Sequence, residues 1–171
     1  EYRQYLNTST FYPSTSENIK YSQHLRFNGD YITSGNSGIG GFEWYTDAAK
    51  GIGTAHNTIS FVKPSDYSKY ENTMFFKYNG NIIDVCYTDG ITSSGTIDRS
   101  TSAIDTAAEA MYAALYDLLA NTDKDNFWLS VGQADTNERC ECSDCIAATK
   151  QYNRSGITVR FWNAIINELE N

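Results

Sequence analysis

The sequence is short of proline, histidine, positive charge and long apolar runs, and each shortage excludes something. Its 171 residues hold two prolines, Pro13 and Pro64, and no Pro/Ser-rich stretch separates two compositionally different halves. Nothing therefore reads as a linker, and a single domain over residues 1–171 is expected. Lys and Arg number 13 against 21 Asp and Glu, a net charge of −8 with no basic run. Nucleic acids and anionic membranes are bound by clustered Lys and Arg, so neither partner is expected. No apolar run approaches the ~18 residues of a membrane helix, which argues against membrane insertion. There is no P-loop and no G-x-S-x-G elbow. The glycine clusters at Gly38-Ile39-Gly40 and Gly51-Ile52-Gly53 reach Glu43 and His56 where a dinucleotide loop needs its third glycine. The opening Glu1-Tyr2-Arg3 has neither Met nor a signal-type apolar segment, as expected of a piece of a larger protein.

What is present suffices to fill a core: 40% of the residues are hydrophobic and 14% aromatic, with Tyr the commonest aromatic at 13. Aromatic residues set among many Asn, Ser, Thr and Gly are typical of extracellular bacterial and carbohydrate-handling proteins. Ile82–Tyr87 and Phe127–Val131 are short β-rich runs, read as two parallel strands. Between them Ile104, Ala107, Ala108, Met111, Leu115, Leu118 and Leu119 recur at helical spacing, with Ser102 and Asp105 as a capping box. A helix capped by Ser143 should run to about Tyr152, and a last one should bury Val159, Trp162, Ile165, Ile166 and Leu169. Strand, crossover helix and strand in this order predict an α/β fold with right-handed parallel pairing.

The most specific motif is Cys140-Glu141-Cys142-Ser143-Asp144-Cys145, with Cys86 at the end of the earlier predicted strand. If the two strands are neighbours, all four sulfurs converge at one sheet edge. Four thiolates suit tetrahedral zinc, and a C-x-x-C spacing is a usual metal knuckle; such a closed set is structural. Two disulfides, with three available pairings, are the alternative. A redox dithiol at Cys142 and Cys145 is the third reading, opposed by Glu138, Glu141 and Asp144, whose charges disfavour a thiolate.

Other residues offer chemistry. Asp135 follows the Phe127–Val131 strand, where ligands gather in parallel α/β folds; it is the first catalytic candidate, against the alternative of a turn-capping Asp. His56 is one of two histidines and could carry a proton or bind a hydroxyl, with Asn57 beside it as a ligand-binding residue. Glu43-Trp44 joins a carboxylate to a ring that could stack on a sugar face.

Tyr2-Arg3-Gln4, Arg26-Phe27-Asn28-Gly29, Ala55-His56-Asn57, Val85-Cys86-Tyr87-Thr88, Ser130–Asp135, the cysteine cluster and Arg160-Phe161-Trp162-Asn163 together resemble the domain-of-unknown-function family 4838 along nearly the whole chain. The resemblance implies kinship with the barrel region of α-glucuronidase-like glycosidases, in large bacterial proteins that are often secreted. It carries over to Arg3, Asn28, His56, Cys86, Asp135, the three clustered cysteines and Asn163. Asn57 departs from the Thr expected after the histidine, and Lys69-Tyr70-Glu71-Asn72 lacks an expected His-Pro-Glu. A complete (β/α)₈ TIM barrel takes about 250 residues, so the expectation is parallel β/α units forming about half of one. Its open edges would need self-association or docking with the rest of the barrel.

These readings converge on a carbohydrate-active, glycoside-hydrolase-like domain, extracellular or at the bacterial cell surface, whose isolated segment could be inactive. Glycoside hydrolysis needs a second carboxylate about 5–9.5 Å from the first. Glu43, Asp89 or a residue beyond Asn171 would partner Asp135, while Arg3, Asn28 and His56 would bind the substrate. The rival is a non-catalytic glycan-binding or structural module stapled by a four-cysteine zinc site or by disulfides.

Overall fold

The structure is a computed structural model that describes residues 43–53, 56–122 and 127–170, with Glu43, Trp44, Phe127 and Trp128 described by their backbone alone. In chain order the elements are β1 (Glu43–Trp44), α1 (Thr58–Phe61), a 3₁₀ helix (Pro64–Tyr70), α2 (Glu71–Met74), β2 (Phe75–Tyr78), β3 (Asn81–Val85), α3 (Ala107–Asn121), β4 (Phe127–Trp128) and α4 (Ser143–Leu169). Helix and strand are mixed, as in an α/β chain, and no helix among the described residues is long and apolar enough to cross a membrane.

The strand pairing differs from expectation. β3 pairs antiparallel with β2, while β4 pairs parallel with β1, so the two predicted strands lie in different two-stranded sheets. The local cause is the Asn79-Gly80 turn, with φ of 50° and 80°. Two left-handed residues make the turn whose twist suits a tight hairpin, and this closes β3 onto its immediate predecessor. Beyond β4 the chain is held at Gly132 O by the Asn57 and Thr58 N–H groups, at 3.1 and 3.4 Å, and by the Asn57 side chain. Asn57 Nδ2 donates to Ser130 O at 2.8 Å, and Asn57 Oδ1 accepts from Gly132 N at 3.0 Å.

α3 begins at Ala107, after the predicted start. Thr106-x-x-Glu109 repeats the spacing of Ser102-x-x-Asp105, and it is the Thr106 hydroxyl that accepts from Glu109 N, at 3.3 Å. Ala107, Ala108, Met111, Leu115 and Leu118 are buried on its inner face, whereas Ile104 and Leu119, expected there, are exposed. α4 is two helical segments divided at Asn153, whose φ of 56° and ψ of 179° break the helix. Asn153 Oδ1 then caps the second segment by accepting from Gly156 N at 2.9 Å. That segment buries Ile157, Phe161, Ala164 and Ile165 beside Trp162, and turns Val159 and Ile166 outward, a rotation of the predicted face. Phe161 meets Tyr87 and Trp162 edge-on, with centroids 5.1 and 5.4 Å away. The core thus lies between α3, the second half of α4 and the β2–β3 hairpin. Gly90 lets the turn after β3 approach α3: its φ is +78°, and a Cβ there would stand 2.3 Å from Thr106 Oγ1.

Candidate metal centre

Three segments bring the cysteines together. Cys86 directly follows β3, and its N–H extends the hairpin by donating to Met74 O at 2.7 Å. Cys140 ends the irregular stretch after β4, Cys142 caps α4 by accepting from Cys145 N at 3.4 Å, and Cys145 lies in the first turn of that helix. The Sγ of Cys86 is 3.7 Å from those of Cys140 and Cys145 and 3.8 Å from that of Cys142. All four sulfurs lie within 4.8 Å of one another. Thiolates ~2.3 Å from a single central ion stand ~3.8 Å apart at the corners of a tetrahedron, so the set fits one ion. A disulfide would need ~2.05 Å; all four cysteines are free. The expected convergence holds, but it runs through a hairpin end and a helix start, not through neighbouring parallel strands.

Cys86 and Cys145 are buried, Cys140 is half-buried and Cys142 is exposed. The Thr88 hydroxyl lies 3.1 Å from Cys145 Sγ and 3.4 Å from Cys86 Sγ. Hydrogen bonds from Cys140 and then Cys145 pull the Cys86 thiol down to about 2. Cys145 is pushed up by its bonds to Cys140 and Cys86. Cys140 is lowered by Cys145 but raised more by its bond to Cys86 and by burial, and reaches about 12. Without a metal the negative charge is thus favoured on Cys86 over Cys140 and Cys145; a divalent cation offsets the repulsion between thiolates held this close.

The other nominated residues fall in four places. The His56 ring meets Gln133 O through Nδ1 at 2.9 Å, which puts it on the same stretch as Asp135. Both side chains are exposed. His56 also holds a left-handed φ of 53°. Asn57 is 1% exposed, and both its amide nitrogen and its oxygen are engaged with the backbone of Gly53, Ser130 and Gly132. Asp89 caps α3, accepting from Ala107 N at 2.7 Å through Oδ2. Burial pushes its carboxyl up to about 6 against the pull of that hydrogen bond, with the Cys86 charge adding to the rise. Glu43 and Trp44 form β1, paired with β4. Arg3 and Asn28 lie outside the described residues.

A cleft of about 310 Å³ opens beside the cysteines, with Phe76, Tyr87, Gln133, Thr136 and Thr158 on its walls and Cys140 and Cys145 at one end. Its floor holds Asp84, 1% exposed. Oδ1 of Asp84 accepts from Thr58 Oγ1 at 2.5 Å and from Val85 N at 2.8 Å. Oδ2 accepts from Ala134 N at 2.7 Å and from Tyr87 OH at 3.1 Å.

A family model described as a domain of unknown function, DUF4838, matches residues 1–171, the full length of the chain. The chain belongs to the DUF4838 family. No curated protein and no solved structure matches it. In this DUF4838 domain the two residues that sequence reasoning passed over are Asp84 and Thr88. A carboxylate inside the apolar run Ile82-Ile83-Asp84-Val85 was the available signal for the first. The second had none, because its hydroxyl is placed by the turn that follows Cys86.

Proposed function

We propose that Cys86, Cys140, Cys142 and Cys145 hold a single zinc ion with a structural role, and that this DUF4838 domain is a metal-stapled module. The observation that carries the reading is the 3.7–3.8 Å spacing of three sulfurs around Cys86. Soft thiolates in a tetrahedron select zinc over hard cations, and four protein ligands leave no open position for substrate. Spacings this short suit a mononuclear site. When bound, zinc neutralises thiolate charge and cross-links the hairpin, the stretch after β4 and α4. The test is metal content with a thiol count on the native protein. One zinc per chain, with four thiols released only on unfolding, is the expected result; no metal with freely reacting thiols overturns it.

A second reading concerns what the module faces. The family resemblance suggests a carbohydrate-directed domain, about half of a glycoside-hydrolase barrel, extracellular or at the bacterial cell surface; its support here is the His56 ring against Gln133 O, two residues from Asp135, with Gln133 also on the cleft wall. In that reading Asp135 and His56 serve chemistry, and the open edges are covered by self-association or by the rest of a barrel. The buried engagement of Asn57 and the capping role of Asp89 argue against these two as sugar contacts. Hydrolysis of chromogenic glycosides by the longest available form, lost in Asp135→Asn, is the expected result. Turnover that survives Asp135→Asn removes Asp135 from the reaction.

A further inference from the structure

We propose that the Thr88 hydroxyl is a positioning residue of the metal centre, donating its hydrogen to the Cys145 thiolate; the proposal rests on the metal reading above. Four thiolates around a divalent cation leave two negative charges in a site whose Cys86 and Cys145 are buried. Each sulfur taken out of water needs a donor in place of the solvent it loses. Cys142 has a peptide donor, the N–H of Cys145 at 3.4 Å. Cys145 lies in the first turn of α4 with its N–H given to Cys142, and its own buried sulfur meets a donor from another element. The Thr88 hydroxyl meets that sulfur at 3.1 Å, closer than it comes to Cys86 at 3.4 Å or Cys142 at 3.9 Å.

The hydroxyl also arrives from a different element than its acceptor. Thr88 belongs to the turn after β3, held by Asp89 N donating to Cys86 O at 3.1 Å and Ile91 N donating to Thr88 O at 3.2 Å. That turn therefore carries the hydroxyl across to α4 on a backbone held at both sides of Thr88. A donor to a thiolate draws charge off the sulfur, which lowers its donor strength and its reactivity, and it fixes the side-chain rotamer that presents the sulfur to the metal.

The experiment compares wild type, Thr88→Val, Thr88→Ser and Thr88→Ala, each loaded with cobalt(II) in place of zinc. Valine keeps the shape and removes the donor, while serine keeps the donor and loses the methyl. Thr88→Val is expected to shift the sulfur-to-cobalt charge-transfer bands to lower energy and to weaken metal binding about 10-fold; Thr88→Ser is expected to restore both. Thr88→Ala serves as the donor-free variant if valine does not fold, and it should behave as valine does. Unchanged bands in the donor-free variants overturn the role of Thr88 while leaving the metal reading intact. A shift that serine fails to reverse assigns Thr88 to packing and overturns the proposal as well. Failure of wild type to give thiolate charge-transfer bands overturns the metal reading and the proposal together.

Discussion

Two buried or half-buried carboxylates, Asp84 and Asp89, do different work at the level of single residues. Asp84 receives one hydrogen bond at each of its four lone-pair positions, from α1, its own strand, the cleft tyrosine and the stretch after β4. It ties the segment ending in Cys86 to the segment leading to Cys140. Asp84→Asn puts an amide NH₂ where a donor now points, so about 3 kcal/mol of stability should be lost in urea unfolding. A loss within ~0.5 kcal/mol, ordinary for a surface position, would show that the network is not essential. At Asp89, burial raises the folded carboxyl to about 6 from the ordinary 3.8. A raised acid favours the protonated native state, so its contribution is complete below about pH 4 and is lost as pH rises through 6. Asp89→Asn keeps an oxygen for Ala107 N without the buried charge. Its stability relative to wild type should therefore improve between pH 4 and pH 7.5. Thermal melts of both proteins at the two pH values check this, and a difference independent of pH would contradict it.

At the level of elements, the sequence carried the helices and misassigned the strand partners, for identifiable reasons. Helical periodicity spans many residues, so α3 and both segments of α4 were readable, and the break between the segments fell where periodicity lapsed. The start of α3 was ambiguous because the same capping spacing occurs twice, at Ser102/Asp105 and Thr106/Glu109. The structure chooses Thr106, whose position lets Asp89 cap Ala107 as well. Thr106→Ala should cost about 1 kcal/mol, and Ser102→Ala should stay within ~0.5 kcal/mol of wild type; equal effects would mean that the cap is shared. Strand pairing was harder because Asn79-Gly80, a strong hairpin signal, closes β3 onto β2, a strand that the apolar pattern alone did not single out.

For the molecule as a whole, the four cysteines were legible because their spacing is local, while their meeting depends on the entire fold. The sulfur pair Cys86 and Cys140 spans 54 residues of chain. A cross-link closing a loop of that length removes ~4 kcal/mol of conformational freedom from the unfolded state. A metal held as proposed would bind the folded arrangement in preference to the dispersed thiols, so stability is expected to rise with free metal by linkage. Each tenfold increase in zinc above the dissociation constant should add ~1.4 kcal/mol. Denaturation in zinc buffers checks this as a straight rise of stability against the logarithm of free zinc. Cys86→Ser, which removes the sulfur lying 3.7–3.8 Å from each of the other three, should flatten the line. Cys142→Ser, at the exposed corner, should shift the line toward higher zinc and leave its slope unchanged. A zinc-independent wild type would mean that the quartet's close approach is achieved by packing alone, and the staple would lie instead in Asp84 and its four hydrogen bonds.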